Sequence, residues 1–220
     1  MDFMNHLCSL FRETYSGKTI ARTLFNLEIL KHVKNIDGVV IDLGGGKNPS
    51  YERFWDIKPE KFIRVDINEK SEPDIKVDLN KALPFSDNFA DNIFLFNVIY
   101  ILENPTAVLK EINRVLKPNG KLFLTSPFIF NEAKEPHDYW RFTSEGLEKI
   151  LKEADFSEVL IKSVGERFSA AIYLISPFLI FWSVKFLFYV LAIGLDKIIP
   201  NKLKLKQPCP IGYFVEAIKS

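Results

Sequence analysis

The chain has 220 residues, with 47% hydrophobic and 26% charged side chains, which is typical of a folded globular protein and not of a disordered one. Its formal net charge of +1 argues against binding that works through bulk electrostatic attraction to nucleic acid, so no nucleic-acid partner is expected. Cys8 and Cys209 lie at opposite ends without metal-ligand spacing, which predicts free thiols, no metal and a reducing cytoplasm. The first six residues lack the features of a signal peptide.

Residues 1–36 are expected to form a helical cap. Apolar side chains recur at roughly helical spacing within residues 2–35, and the pattern breaks near Ser16-Gly17. We therefore expect two helices that cover the sheet or a ligand, with core packing as the simpler role. Residues 37–220 are expected to form the main domain.

A buried strand followed by three glycines dominates the next stretch. Residues 39–43 are mostly β-branched and include Asp42, and Gly44, Gly45 and Gly46 follow at once. Glycine permits positive φ angles and a close approach of the backbone to a ligand. Because ligands of open α/β sheets bind beyond the carboxyl ends of the strands, this loop is a candidate nucleotide site.

Several interpretations of the glycine loop compete. A simple tight turn stays open on the glycines alone. A dinucleotide-binding turn, G-x-G-x-x-G, would need glycine where the chain has Pro49, and a P-loop would need Ser or Thr where Asn48 follows Gly46-Lys47. The pattern that fits is acid-x-Gly-x-Gly-x, which begins at Asp42.

A second acid, Asp66, ends the next predicted strand, residues 61–66. Asp66 comes about 20 residues after the loop, where an acid can accept hydrogen bonds from both hydroxyls of a ribose. A surface acid that ends a strand is the alternative. Further strands are predicted at residues 73–79, 92–98, 121–126, 159–164 and 211–218, and helices at 105–116 and 144–154. This alternation predicts an α/β fold whose parallel sheet is covered on both faces.

From about Val39 to Phe156 the spaced motifs resemble those of class I S-adenosylmethionine-dependent methyltransferases of the methyltransferase type 11 group. The first is the motif at Asp42, although the family often has a further glycine at the position of Asn48, a residue that adopts left-handed conformations readily. Later motifs follow in the family's order: Asp78-Leu79, Leu83-Pro84-Phe85, Asp91 and the run from Glu111 to Gly120. The resemblance implies S-adenosyl-L-methionine as cofactor and a Rossmann-like class I methyltransferase fold, a mostly parallel seven-stranded sheet with helices on both faces.

The resemblance also implies roles for individual residues. The implied cofactor-binding residues are Asp42, Gly44, Gly45, Gly46, Asp66, Ile67, Asp78, Leu79, Asn97 and Val98. Among them Asp66 would bind the ribose, Asp78 would take the adenine amino group, and the Leu79 backbone would meet the ring. Asn97 and Val98 would lie beside the methionine moiety.

Many relatives carry Glu-His just after the fourth strand, where this chain has Tyr100-Ile101. This position therefore lacks the acid and base of those relatives, and any proton transfer must use a group elsewhere in the chain. Residues 135–143, EPHDYWRFT, resemble the His-Asp/Tyr-Asp-Tyr-Trp-Arg-Phe-Thr segment of methyltransferases associated with bacterial polysaccharide and glycolipid assembly. An imidazole there could take a proton from a hydroxyl, with a carboxylate orienting it. The expected catalytic residues are His137, Asp138, Tyr139 and Arg141. The alternative is an ordered loop whose polar groups satisfy one another and cap the next helix, and a base is optional if placement of the acceptor suffices.

An apolar segment interrupts the fold before the predicted last strand. Residues 168–195 carry one charge, Lys185, and lysines recur in residues 196–206. A helix starting at Ser176-Pro177 would approach the roughly 20 residues that cross a bilayer. A single crossing, however, would leave the last strand on the wrong side of the membrane.

We therefore expect an apolar helical insertion at about residues 166–209, as a helix or a broken helical hairpin. It would lie at the inner face of the membrane, peripheral or monotopic, with its lysines near anionic head groups. Burial of the apolar surface in a homodimer or over the active site is the alternative.

These observations predict transfer of a methyl group from S-adenosylmethionine to an oxygen, less favourably a nitrogen, of a small-molecule, sugar or lipid-linked acceptor. Two alternatives stay open. An NAD-dependent oxidoreductase is disfavoured by Pro49 and by the short segment before the second strand. A non-catalytic, membrane-associated adaptor would keep the fold without turnover.

Overall fold

The computed structural model describes residues 3–54, 57, 59–134 and 137–220. The helices are α1 Phe3–Tyr15, α2 Ile20–His32, α3 Pro105–Val115, α4 Ser144–Glu153, α5 Arg167–Ile175, α6 Trp182–Ile198 and α7 Asn201–Lys206. The strands are β1 Val39–Leu43, β2 Lys61–Asp66, β3 Ile75–Lys76, β4 Ala90–Phe96, β5 Leu116–Pro127, β6 Phe156–Val164 and β7 Gly212–Lys219. Short 3₁₀ turns occupy Glu52–Phe54, Glu69–Ser71, Ile99–Ile101 and Ser176–Phe178.

The strands form one seven-stranded sheet in the order β3-β2-β1-β4-β5-β7-β6. The pairs from β3 to β5 are parallel, whereas β7 is antiparallel to both β5 and β6. The predicted α/β, Rossmann-like fold with a mostly parallel seven-stranded sheet is therefore confirmed. Since β1 lies between β2 and β4, the carboxyl ends of these three strands meet at one edge, where the glycine loop begins.

Side chains alternate between the two faces of the sheet and build two apolar clusters. On one face, Ile93 and Leu95 of β4 pack with α3 and α4, for example with Leu109. On the other face, Phe94 joins a phenylalanine-rich cluster under α1, α2, α5 and α6, which also holds Phe123 of β5. Both faces are therefore covered, as expected for a parallel sheet.

Motifs that are distant in the sequence meet at α3. The Glu111 carboxylate accepts a hydrogen bond from the Leu83 N–H at 3.1 Å, and the Arg114 guanidinium donates to the Phe85 carbonyl at 2.9 Å and to Asp87 at 2.7 Å. The hydrogen bond from Arg114 holds the pKa of Glu111 below its ordinary value. These contacts fix the loop that leads into β4.

The N-terminal helices are held by the apolar helix α6. The Phe11 ring of α1 meets Trp182 and Phe186 edge to face, with ring centroids 5.4 and 5.3 Å apart. The Tyr189 side chain of α6 is buried, and its hydroxyl meets the Ile20 N–H at the start of α2. The position of α1 and α2 therefore depends on α6.

A buried carboxylate joins α6 to α5. The Asp196 side chain accepts hydrogen bonds from the backbone N–H groups of Glu166 at 3.1 Å, Phe168 at 2.9 Å and Ser169 at 3.1 Å. Free N–H groups at a helix start need such acceptors. Asp196 thus fixes the hairpin that α5 and α6 form.

Some element boundaries differ from the predictions. The helix expected to start at Ser176-Pro177 begins at Trp182, because Leu179 and Phe181 have extended backbone and end the turn that Pro177 begins. The third strand, expected at residues 73–79, is limited to Ile75–Lys76. Among the helices that the structure describes, none is both long and apolar enough to cross a membrane.

We expect Asp196→Ala to lower the free energy of unfolding by about 1–3 kcal/mol, because backbone donors buried at the start of α5 lose their acceptor. Urea unfolding followed by circular dichroism measures the change. Asp37→Ala, at an exposed side chain, is the control and should shift stability by less than about 0.5 kcal/mol. Equal stability of Asp196→Ala and the wild type would contradict the capping role.

Candidate functional site

The glycine loop lies directly against Val98, in the turn that follows β4. Gly44 and Gly46 have φ angles of +76° and +68°, which glycine adopts at little cost. A Cβ atom on Gly44 would lie 2.6 Å from Val98 Cγ2, too close for any side chain. Asn48 has a φ of +51°, the left-handed conformation expected for it. The loop backbone itself therefore forms part of the cavity wall.

A buried pair supports the loop from below. The Tyr51 hydroxyl contacts both carboxylate oxygens of Asp42, at 2.8 and 3.0 Å, and both side chains are buried. Burial raises the pKa of Asp42 to about 7, although the hydrogen bond from Tyr51 and the charge of Arg64 lower it in part. A Cβ atom on Gly45 would lie 2.0 Å from Asp42 Oδ2. Tyr51 was not singled out from the sequence.

A cavity of about 690 Å³ opens at the carboxyl ends of β1, β2 and β4. Its volume lies within the ~300–1,000 Å³ range of small-molecule sites. Most of the predicted cofactor-binding residues line it, namely Gly44, Gly46, Asp66, Ile67, Asp78, Leu79, Asn97 and Val98. Of the other two, Gly45 lines a neighbouring cavity and Asp42 lies beneath the loop.

Two carboxylates line this cavity, one at the end of β2 and one in the loop after β3. Asp66 ends β2, and its Oδ1 accepts a hydrogen bond from the Asn68 N–H at 2.8 Å. A Cβ atom on Gly46 would lie 4.0 Å from Asp66 Oδ2, so this carboxylate is beside the glycine loop. Asp78 Oδ1 accepts from the Asn80 N–H at 3.0 Å. Both acids are therefore held by their own loops with acceptor capacity to spare.

Asn97 closes the carboxyl end of β4 in a conformation that is rare for residues with a side chain. Its φ is +56°, and its N–H donates to the Thr125 carbonyl at 3.1 Å and to Thr125 Oγ1 at 2.9 Å. Such left-handed residues cost free energy and persist where their surroundings fix them. The turn directs Asn97 and Val98 toward the cavity wall.

The segment with the predicted catalytic residues is anchored to the turn after β4. The Tyr100 carbonyl accepts hydrogen bonds from the N–H groups of Tyr139 at 3.0 Å and Trp140 at 3.1 Å, and the Trp140 indole donates to the Leu102 carbonyl at 2.8 Å. Thr143 caps α4 through the Gly146 N–H. Glu135 and Pro136 lie outside the described residues.

Asp138 and Arg141 pair with each other inside this segment. Arg141 Nη2 donates to Asp138 Oδ2 at 2.7 Å, and the same oxygen accepts from the Ala133 N–H at 2.8 Å. The Arg141 hydrogen bond holds the pKa of Asp138 below its ordinary value, and the guanidinium lies 5.5 Å from the centre of the Tyr100 ring. These contacts favour the interpretation in which the polar groups of the loop satisfy one another.

His137 is the member of the predicted catalytic set that lines the 690 Å³ cavity. Its ring stacks on Tyr139 with centroids 5.2 Å apart, and both residues are exposed. The Asp138 carboxylate accepts hydrogen bonds from Arg141 and from the Ala133 N–H. Among the described residues, no hydrogen bond joins it to His137, so the expected orienting role of Asp138 is not seen.

A second cavity, of about 270 Å³, adjoins the first. Lys18 and Arg22, from the turn between α1 and α2 and the first turn of α2, line it together with Gly45 and Tyr51. The two cavities share Gly44, Asn97 and Tyr100. The sequence pattern marked neither Lys18 nor Arg22, because scattered basic residues in an amphipathic helix are ordinary.

We expect the stability of the protein to fall as the pH rises through the range in which Asp42 ionises. Its folded-state pKa of about 7 lies above its ordinary value of 3.8, so the stabilisation is complete below about pH 4 and is lost by about pH 7. Relative to Asp42→Asn, whose amide can still accept from Tyr51, the wild type should lose up to about 4 kcal/mol across this range. Urea unfolding at several pH values measures the difference, and parallel pH profiles would contradict it.

Comparisons with known proteins agree with this geometry. Residues 41–124 match the family described as "Methyltransferase domain". A ubiquinone/menaquinone biosynthesis C-methyltransferase of Shewanella sp. strain ANA-3 is 29% identical over 154 residues, 57% of this chain and 58% of that protein. A tRNA U34 carboxymethyltransferase of Campylobacter curvus is 30% identical over 159 residues, 61% of this chain and 53% of that protein. The chain thus spans little more than half the length of these curated relatives.

Solved structures show the same fold. An S-adenosylmethionine-dependent methyltransferase from Archaeoglobus fulgidus superposes with a TM-score of 0.61 at 18% identity, covering 99% of this chain and all of the other. Phosphoethanolamine N-methyltransferase 2 of Haemonchus contortus, solved with S-adenosyl-L-methionine, gives a TM-score of 0.55 at 19% identity over 89% of this chain and 52% of the other. The glycine loop, the sheet order and the domain match together identify residues 41–124 as a methyltransferase domain, and the chain has the fold of S-adenosylmethionine-dependent methyltransferases, whose cofactor is S-adenosyl-L-methionine.

Proposed function

We propose that this protein transfers a methyl group from S-adenosylmethionine, bound in the 690 Å³ cavity, to an acceptor in the adjoining 270 Å³ cavity. The observation that carries the proposal is the convergence of the predicted cofactor-binding residues on one cavity that shares Gly44, Asn97 and Tyr100 with the next. When bound, the cofactor supplies an electrophilic methyl group. Transfer then requires chiefly that the acceptor be held in line.

The chain offers carboxylates for the ribose and for the adenine of the cofactor. Asp66 would accept hydrogen bonds from the ribose hydroxyls, and Asp78 from the adenine amino group. The bare backbone of Gly44 and Gly46 would admit the cofactor at close range, because no Cβ atom intrudes. Asp42 would act from beneath as a positioning residue for this loop.

The proposed acceptor atom is an oxygen, less favourably a nitrogen, of a small molecule, a sugar or a lipid-linked compound. His137 would take the proton of an acceptor hydroxyl that reaches from the 270 Å³ cavity into the cofactor cavity, because His137 lines the cofactor cavity and an imidazole can act as a general base. Tyr139 would support the ring of His137, and the Asp138–Arg141 pair would hold the loop in place. The net charge of +1 favours these acceptors over a nucleic acid.

We also propose that α5, α6 and α7 attach the protein peripherally to the inner face of a membrane. Large apolar side chains are exposed there: Phe178 82%, Ile180 84%, Phe181 70%, Leu187 56%, Ile198 74% and Leu205 84%. The helix α7, which carries Leu205, also has two exposed lysines, Lys202 and Lys206. This combination matches an interface of acyl chains and anionic head groups. In this proposal residues 1–36 are the cap, 37–220 the methyltransferase domain, and 166–209 the insertion.

We expect Asp66→Ala to weaken the binding of S-adenosylhomocysteine at least tenfold, because the ribose loses its charged acceptor. Isothermal titration calorimetry measures the dissociation constant. Glu60→Gln, at the opposite end of β2, is the matched control and should bind like the wild type. The proposal fails if the wild type does not bind S-adenosylhomocysteine.

His137→Gln should bind S-adenosylhomocysteine normally but incorporate labelled methyl groups into envelope extracts about 100-fold more slowly, as expected when a general base is lost. Undiminished incorporation would remove His137 from the mechanism. Cofactor binding by the wild type without incorporation in any extract would favour the non-catalytic adaptor.

Ile180→Ser/Phe181→Ser should reduce co-flotation with phosphatidylglycerol vesicles at least fivefold, because two exposed anchors are lost. Leu160→Ser, at an exposed residue of β6, is the control. Equal flotation of the variant and the wild type would contradict membrane attachment. A dimer in light scattering that the double variant dissociates, without vesicle binding, would assign the surface to a homodimer instead.

A further inference from the structure

The 270 Å³ cavity presents two cationic side chains. Lys18 stands in the turn that joins α1 to α2, and Arg22 follows in the first turn of α2. Both residues are exposed, and neither forms an ion pair with a described residue. Cations that line a cavity without a protein carboxylate as partner are suited to bind an anionic ligand.

The acids around this cavity do not cancel that charge. Among the described lining residues there is no carboxylate. Asp42 lies beneath Gly45, where it is bonded to Tyr51 and shielded by the loop. Arg22 lies near enough to Tyr51 to lower the pKa of its hydroxyl, against the larger effect of burial, which raises it.

Two further carboxylates of the neighbouring elements are already paired. Glu13 of α1 is buried and pairs with Arg53, and Glu52 pairs with Arg64 at 2.6 Å. The net effect of the surrounding charges is therefore a positive pocket.

The position of the pocket relates it to the site of methyl transfer. It shares Gly44, Asn97 and Tyr100 with the cofactor cavity, so a ligand in one cavity is adjacent to a ligand in the other. An anionic group held by Lys18 and Arg22 would fix the rest of the acceptor against this shared wall. Holding a non-reacting part of a substrate is an effective way to position its reacting atom.

An apolar rim borders the same turn. Tyr15 precedes Lys18 by three residues, is 67% exposed, and meets Trp182 of α6 edge to face at 5.4 Å. Phe181, 70% exposed, lies next to Trp182 in the chain. The cationic cavity therefore lies beside the apolar surface of α6, an arrangement that suits a molecule with an anionic head and an apolar tail.

We infer that the methyl acceptor carries an oxyanion group, a phosphate or a carboxylate, which Lys18 and Arg22 bind in the 270 Å³ cavity. This inference rests on the proposed methyl-transfer function and adds the chemical class of the acceptor. Arginine and lysine are the usual partners of phosphate and carboxylate oxygens, arginine in a two-bonded geometry. The oxyanion group belongs either to a lipid head group or to a soluble metabolite.

The test uses the full chain saturated with S-adenosylhomocysteine, with Lys18→Gln/Arg22→Gln as the test variant and Lys162→Gln, an exposed lysine of β6, as the charge control. Calorimetry first measures S-adenosylhomocysteine binding, which all three proteins should share; a wild type that does not bind it refutes the proposed function before the acceptor is tested. Inorganic pyrophosphate and glycerol 3-phosphate are then titrated at low ionic strength, where charge pairing is least screened.

The wild type and Lys162→Gln should bind both anions, and the double variant should bind them at least tenfold more weakly. Equal affinity of the double variant and the wild type, or a wild type that binds neither anion while it binds S-adenosylhomocysteine, would overturn the inference. Dihexanoyl phosphatidic acid, compared with glycerol 3-phosphate, separates the two sources. Tighter binding of the lipid assigns a lipid head group, and equal binding assigns a soluble anion; in both cases the binding must depend on Lys18 and Arg22.

Discussion

The structure depends on a backbone segment that has no room for side chains. At Gly44 the space is taken by Val98, and at Gly45 by the Asp42 carboxylate and the Tyr51 hydroxyl. The loop is therefore held from one side by the turn after β4 and from below by a buried hydrogen-bonded pair. Because these contacts fix bare peptide groups at the end of β1, the cavity in front of them has a rigid floor that a ligand can approach closely.

The buried pair couples this floor to the protonation of a single group. A carboxyl buried in an apolar sheet favours its neutral form, and the hydrogen bond from Tyr51 only partly offsets that preference. The hydrogen-bonded support beneath the loop and the stability of the fold thus involve the same carboxyl group. Asp42, near the end of β1, therefore supports the loop from beneath.

Much of this arrangement was predictable because it is local. The alternation of strands and helices predicts a parallel sheet covered on both faces, and Asp66 and Asp78 converge because the carboxyl ends of parallel strands share an edge. The start of α6 was not predictable, because Ser176-Pro177 suits a helix start but the extended residues after it depend on tertiary packing.

The candidate residues missed by the sequence share one property. Tyr51, Lys18 and Arg22 belong to no motif. Lys18 and Arg22 reach the site because α6 holds the N-terminal helices over the loop, whereas Tyr51 follows the glycine loop in the chain and bonds Asp42 from there. Conversely, the sequence indicated that Asp138 and Arg141 lie in one polar segment, but it did not show that they pair with each other. In the structure this ion pair satisfies the polar groups of the loop. Long-range packing, and not local pattern, decides such placements.

The position of β7 has a consequence for how the chain is made. β7 lies between β5 and β6, so β5 has one unpaired edge and β6 lacks its sheet partner until residues 212–219 have been synthesised. The apolar helices α5 and α6 precede β7 and leave the ribosome while both strand edges are still open. The nascent protein is therefore most prone to aggregate just before its last strand closes the sheet.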